Sequence, residues 1–203
     1  IISININNPN QREIKKVVEC LKDGGVIVYP SDTVYGIGCD IFNKSAVERV
    51  ARIKDVNINK KNFSFICSDL SHISDFTKPF NNTTYKLMRR NLPGPFTFIL
   101  NANNKIPKLF KIKKKTIGIR IPNHKIPIEI VTQLGNPIVT TSVKEDDKIL
   151  EHSTNPEHIY EKLKNMVDIV IDGGFTGIEP STIIDCSKES FEIIRQAKGN
   201  LII

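Results

Sequence analysis

Cysteine is scarce in this chain, and the four that occur stand far apart. Cys20, Cys39, Cys67 and Cys186 form no Cys-x-x-Cys pair and no cysteine and histidine cluster with zinc spacing, which argues against a structural zinc site and for reduced, largely buried thiols. Also missing is any uncharged apolar stretch long enough to span a bilayer, and the first residues lack the basic-then-apolar pattern of a secretory signal. A soluble protein of the cytoplasm with no membrane partner is expected. Linkers, internal repeats and low-complexity tracts are absent too, so nothing divides the 203 residues, 39% of them hydrophobic. The chain reads as one domain, residues 1–203, with one substantial core. Acid is in deficit, with 22 Asp and Glu against 29 Lys and Arg and a net charge of +7, and such a balance points toward polyanions, namely nucleotides, RNA or both.

The excess of base is local. Lys105, Lys108, Lys111, Lys113, Lys114 and Lys115 crowd one segment with Leu109, Phe110 and Ile112 interleaved, whereas acids concentrate between residues 145 and 172. Such a run fits a solvated face as well as a patch for phosphate backbones, with Lys111, Lys113, Lys114 and Lys115 as the candidate RNA contacts. Strand and helix signals alternate throughout. Asn8 with Pro9 is placed to cap a helix through Ile14, Val17, Val18 and Leu21, and Gly24 to end it. Asn43 or Ser45 starts a second helix, residues 85–92 read as a basic helix, 126–134 as a helix stopped by Gly135, and Asn155-Pro156-Glu157 opens another. Strands are expected at 26–28, 63–66, 96–100, 117–121, 138–141, 167–171, 182–185 and 191–194. This pattern predicts an α/β (α+β) protein with one twisted, open mixed sheet.

Chemistry concentrates where apolar strands end in polar residues. Val26, Ile27 and Val28 lead into Tyr29-Pro30-Ser31-Asp32-Thr33-Val34-Tyr35-Gly36, where Gly36 and Gly38 permit turns or a close approach that a Cβ would forbid. Alone, that segment also fits a turn rich in Ser and Thr. Arg120 sits among Ile117, Ile119 and Ile121, so its guanidinium either meets an anion or points to solvent from an alternating strand. Ile138-Val139-Thr140-Thr141-Ser142 ends in three hydroxyls, Ser181 and Thr182 open another strand, and Arg195 closes one. Such strand ends suit anionic, hydrogen-bonding ligands.

Taken in order, Tyr29-Pro30-Ser31-Asp32-Thr33-Val34-Tyr35-Gly36, Leu92-Pro93-Gly94-Pro95-Phe96-Thr97, Ile119-Arg120-Ile121-Pro122 and Pro180-Ser181-Thr182-Ile183-Ile184-Asp185 resemble the YrdC/YciO-like family, whose characterised members are threonylcarbamoyl-AMP synthases. Asn62-Phe63-Ser64-Phe65-Ile66-Cys67 and Asp172-Gly173-Gly174 are most similar to the YciO branch. The resemblance implies an open α/β sheet with a basic concave surface, a fold linked to double-stranded or transfer RNA. It further implies ATP as substrate, magnesium held by the phosphates, threonine and bicarbonate as co-substrates, and threonylcarbamoyl adenylate as a product used to modify transfer RNA. Such a reaction needs no covalent nucleophile; it requires two anions to be held, aligned and neutralised.

By the same resemblance Ser31, Thr33, Arg120 and Ser181 fall on the amino-acid side and Lys54, Thr141, Ser142 and Arg195 on the nucleotide side. Three positions depart from the synthase pattern. Val56 replaces the second base of a Lys-x-Arg signature and Asn57 the proline after it. Ile66 or Cys67 stands where synthases often carry histidine, and Ser142-Val143-Lys144 replaces Ser-Ala-Asn. The resemblance therefore leaves open an alternative, a non-catalytic RNA-binding protein on the same fold.

Overall fold

The computed structural model describes residues 1–56, 63–110, 115–143 and 154–203. Its strands are β1 (Ile2–Ser3), β2 (Ile27–Tyr29), β3 (Gly36–Asp40), β4 (Ser64–Ile66), β5 (Phe96–Asn101), β6 (Thr116–Arg120), β7 (Ile138–Ser142), β8 (Ile169–Asp172), β9 (Thr182–Asp185) and β10 (Glu192–Arg195). Among the described residues six α-helices accompany them: α1 (Gln11–Lys22), α2 (Lys44–Ile53), α3 (Leu70–Phe76), α4 (Asn82–Asn91), α5 (Lys125–Leu134) and α6 (Pro156–Leu163). The strands form one open mixed sheet in the order β1-β8-β2-β3-β7-β4-β6-β5-β9-β10. Four pairs are parallel, β1 with β8, β8 with β2, β4 with β6 and β5 with β9, and the rest are antiparallel. The mixed α/β architecture read from the alternation of elements is the one observed.

Local chemistry explains most boundaries. Asn43 caps α2 by accepting from Ala46 N, and Asn155 caps α6 with Pro156 at its first turn. The cap of α1 is Asn10, not Asn8, because Asn5 Oδ1 already accepts the backbone N–H groups of Asn7 and Asn8 and holds the chain in a turn there. Gly24 takes the left-handed φ of +85° just past the end of that helix. The two glycines at 36 and 38 do not turn the chain. They lie inside β3, where a Cβ on Gly38 would collide with Val139 O and one on Gly36 would sit 2.9 Å from Tyr29 Cζ. β1 and α3 carry no periodic signal to find, being two and seven residues long, although Asp69 caps α3 by accepting from His72 N.

The two faces of the sheet are covered unequally. α2, α3, α4 and α6 contribute Val47, Val50, Ile73, Leu87, Met88, Ile159 and Leu163 to the larger core, which also holds Val28, Ile37, Phe65, Phe98 and Ile119. On the other face α1 packs against α5 over Ile27, Tyr29, Ile66, Ile138 and Ile171. Strand alternation puts Thr140 two residues beyond Ile138, and Ser64 two before Ile66, on that same second face. There the register aligns Ser64 with both Thr140 and Gly118, a lane of small residues beside the helix pair. Burial keeps the cysteines inert as free thiols: it pushes Cys39 up to about 12 and Cys20 and Cys186 up to about 11. No helix among the described residues is long and apolar enough to cross a membrane.

Candidate functional site

A cleft of about 200 Å³ opens over that lane. Its floor is small and hydroxylic because side chains of the neighbouring strands stand close. A Cβ on Gly118 would lie 3.1 Å from both Ser64 Oγ and Thr97 Cγ2, and one on Gly36 would press on Tyr29 and Thr140. Tyr29 Oη donates to Thr140 Oγ1, and burial pushes the phenol up to about 12, so it stays a neutral donor. Thr97 and Ser181 share a hydroxyl bond of 2.7 Å across β5 and the approach to β9. At one wall Ser31 Oγ donates to Val34 O at 2.7 Å and accepts from Thr33 N at 3.2 Å, with Thr33 Oγ1 3.0 Å away. Its single proton is thereby committed, which makes Ser31 a hydrogen-bond acceptor and structural pin rather than a nucleophile.

Cations supply the charge. Arg120 Nη2 donates to Asp32 Oδ1 at 2.8 Å, while its Nε is buried without a partner. Arg195 donates from Nε and Nη2 to the Ser181 carbonyl, at 3.2 and 2.6 Å. Burial and then the charge of Arg120 hold the Arg195 guanidinium below its ordinary pKa. Two like charges therefore face one another, and none of the described residues lining the cleft is an acid or a histidine. An anion is the complement of that arrangement.

Seven of the eight ligand residues expected from sequence line this cleft: Ser31, Thr33, Arg120, Thr141, Ser142, Ser181 and Arg195. The eighth, Lys54, ends α2 and donates from Nζ to Val143 O at 3.2 Å, one residue beyond Ser142. Arg120 meets an anion as expected, but it is the protein's own Asp32. Of the basic cluster, Lys111, Lys113 and Lys114 lie outside the described residues, as do Asn57 and Lys144, and Lys115 is exposed and away from the cleft. Sequence reasoning passed over Tyr29, Ser64, Thr97 and Thr140 as site residues. Strand alternation would have found Thr140 and Ser64 had the strands been paired; the partnership of Asp32 with Arg120, 88 residues apart, has no local signal.

The fold is an open mixed α/β sheet that carries an arginine-lined, hydroxyl-floored cleft, a lining whose chemistry suits an anion. The chain belongs to the Sua5/YciO/YrdC family, whose model, described as "Telomere recombination", matches residues 19–197. The YciO protein of Escherichia coli K12, itself uncharacterised, is 38% identical over 199 residues, covering 98% of this chain and 95% of its own. Its crystal structure superposes with a TM-score of 0.90 over 98% of this chain and 96% of that one. A threonylcarbamoyl-AMP synthase of Coxiella burnetii is 31% identical over 166 residues, 72% of this chain and 89% of its own. The fold is also that of P. abyssi Sua5 complexed with L-threonine, with a TM-score of 0.86 and 24% identity over 97% of this chain and 58% of that one.

Proposed function

We propose that the cleft binds L-threonine and ATP and that the protein forms L-threonylcarbamoyl adenylate from threonine, bicarbonate and ATP. The observation that carries this reading is the convergence of Arg120 and Arg195 over a hydroxyl floor with no acid or histidine among the described residues of the lining. In the reaction the threonine nitrogen attacks the bicarbonate carbon and water leaves. A carbamate oxygen of the resulting N-carboxythreonine then bonds to the α-phosphorus as the bond to the bridging oxygen breaks and pyrophosphate departs.

The protein's contribution is alignment and charge. Arg120, Ser31, Thr33 and Ser181 take the amino-acid end, and Arg195, Lys54, Thr141 and Ser142 take the phosphates. Holding two anions at reacting distance is itself a large rate effect, and fixed guanidiniums stabilise the charge that gathers on the leaving group. Among the described residues no group of three His, Cys, Asp or Glu gathers for a metal; magnesium enters this scheme as part of the nucleotide substrate. Val56 cannot donate to a triphosphate where the family signature has a base, so turnover below that of synthases with the complete signature is expected.

Incubating the pure protein with ATP, threonine, bicarbonate and magnesium tests the proposal, with threonylcarbamoyl adenylate and pyrophosphate as the expected products. Arg120→Ala should abolish both. Absence of product together with no calorimetric binding of threonine or ATP by the parent would sink it.

A further inference from the structure

Asp32 is built into the fold from three directions. Its Oδ1 accepts from Arg120 Nη2 at 2.8 Å, its Oδ2 from the backbone N–H of Asn123 at 2.9 Å, and its main-chain oxygen from Lys198 Nζ at 2.6 Å. The pair is nearly closed to water, with the Arg120 and Asp32 side chains 11% and 9% exposed. Yet the pairing is incomplete on the arginine side, since Nε is buried and unpartnered. Arg195, across the cleft, has its guanidinium on a neutral carbonyl. The two ends of the cleft therefore differ: the Arg195 end is plainly cationic, and the Arg120 end is an ion pair whose buried Nε–H is left without a partner.

We infer that Asp32 makes the Arg120 end of the cleft selective for an amino-acid zwitterion over a simple anion, acting as a positioning and charge-setting residue through Arg120. This rests on the proposed reading of that end as the amino-acid site. A carboxylate that approaches Arg120 finds a guanidinium whose charge is already matched, with a fixed negative charge beside it. A bare anion gains little there. A ligand that carries its own ammonium next to its carboxylate presents a dipole opposed to that of the Arg120–Asp32 pair, so attraction at one end is no longer cancelled at the other. The hydroxyl bookkeeping at the same wall agrees, because Ser31 gives its proton to Val34 O and takes that of Thr33 Oγ1, which leaves the Thr33 oxygen with lone pairs and no proton: that wall accepts hydrogen bonds, which an ammonium supplies and a carboxylate does not. Phosphate, by the same reasoning, belongs at the Arg195 end.

The test is calorimetric titration of the parent, Asp32→Asn, Asp32→Ser and Asp32→Glu with three ligands: L-threonine, β-hydroxybutyrate, which is the same skeleton without the ammonium, and inorganic phosphate. The parent should prefer threonine to β-hydroxybutyrate by about tenfold or more. Both neutral variants should lose that preference to within about threefold and bind phosphate several-fold more tightly than the parent, because Arg120, which lines the cleft, has lost the negative charge behind it. Asp32→Glu should keep the preference. A merely structural role for Asp32 would lower all three affinities together and could not raise the one for phosphate. Two neutral variants, each checked by thermal unfolding, keep the result from resting on a single fold. A neutral variant that retains the parent's threonine preference, or that weakens all ligands alike, overturns the inference while leaving the amino-acid site standing. If the parent itself binds phosphate but neither threonine nor its analogue, the amino-acid site and the inference fall together.

Discussion

Replacing Gly36 with alanine tests whether the floor of the cleft is set by the packing of Tyr29. The new Cβ would lie 2.9 Å from Tyr29 Cζ, 3.0 Å from Tyr29 Oη and 3.1 Å from Thr140 Oγ1. None of these atoms gives way easily, since Tyr29 is 1% exposed and held by its bond to Thr140. Overpacking of this kind costs about 1–3 kcal/mol, and we take about 2. A domain stable by about 5–15 kcal/mol survives that loss. With a urea slope of about 2 kcal/mol per molar, the midpoint should fall by about 1 M. Tyr29→Phe alone removes the hydroxyl and its hydrogen bond, at about 1 kcal/mol. In the double variant one of the clashing atoms is gone, so Gly36→Ala should cost about 0.5–1 kcal/mol less than in the parent, a coupling that a double-mutant cycle in urea resolves. Strict additivity would refute the reasoning and show that residue 36 is glycine for another cause.

Val56→Arg should raise synthase turnover by restoring the missing donor of the phosphate-binding signature, read as pyrophosphate release; no gain in a folded variant would mean that this stretch takes another path. Sulfate should raise the melting temperature of the parent more than that of Arg195→Gln, because it neutralises the Arg195 charge, which meets only a carbonyl, in addition to its general effect on all proteins; equal shifts would refute an uncompensated Arg195. Burial lowers the pKa of His72 and of His124 below the ordinary value of 6.5, so each favours the folded state as the neutral ring. The stability they protect is present above about pH 6.5 and is lost as pH falls through their folded values. The double variant His72→Gln with His124→Gln should therefore lose less stability than the parent between pH 7 and 5, measured by urea unfolding at each pH.

What could be read from the sequence divides along a physical line. Elements long enough to show a period were found near their observed places: Ile14, Val17, Val18 and Leu21 of α1 form a helical stripe, and Ile117, Ile119 and Ile121 alternate along and just beyond β6. The seven polar residues expected from sequence that line the cleft could be read because they stand at or near strand ends, where polar groups interrupt apolar runs. The strand at Gly36–Asp40 could not, because a glycine in a strand and a glycine in a turn look alike until the neighbour that forbids a Cβ is known, here Val139 O from β7. The order of the strands was equally hidden, since β7 inserts between β3 and β4, and β9 beside β5, through contacts between distant parts of the chain.

The same distinction governs the charges. Composition announces an excess of base, and its densest cluster, around residues 105–115, contributes nothing among the described residues to the lining of the cleft. Two isolated arginines do that instead. Abundance is a poor guide because an exposed lysine keeps its hydration and is screened by salt, whereas a guanidinium held between strands loses water and must be answered by a specific partner. Arg120 finds Asp32, and Arg195 finds only a carbonyl and the repulsion of Arg120. A fold that leaves one of two facing guanidiniums unneutralised forgoes stability that a single further carboxylate would supply. Natural proteins keep such an arrangement where function needs it, and on the proposed reading the need it meets is for an anion brought in from outside.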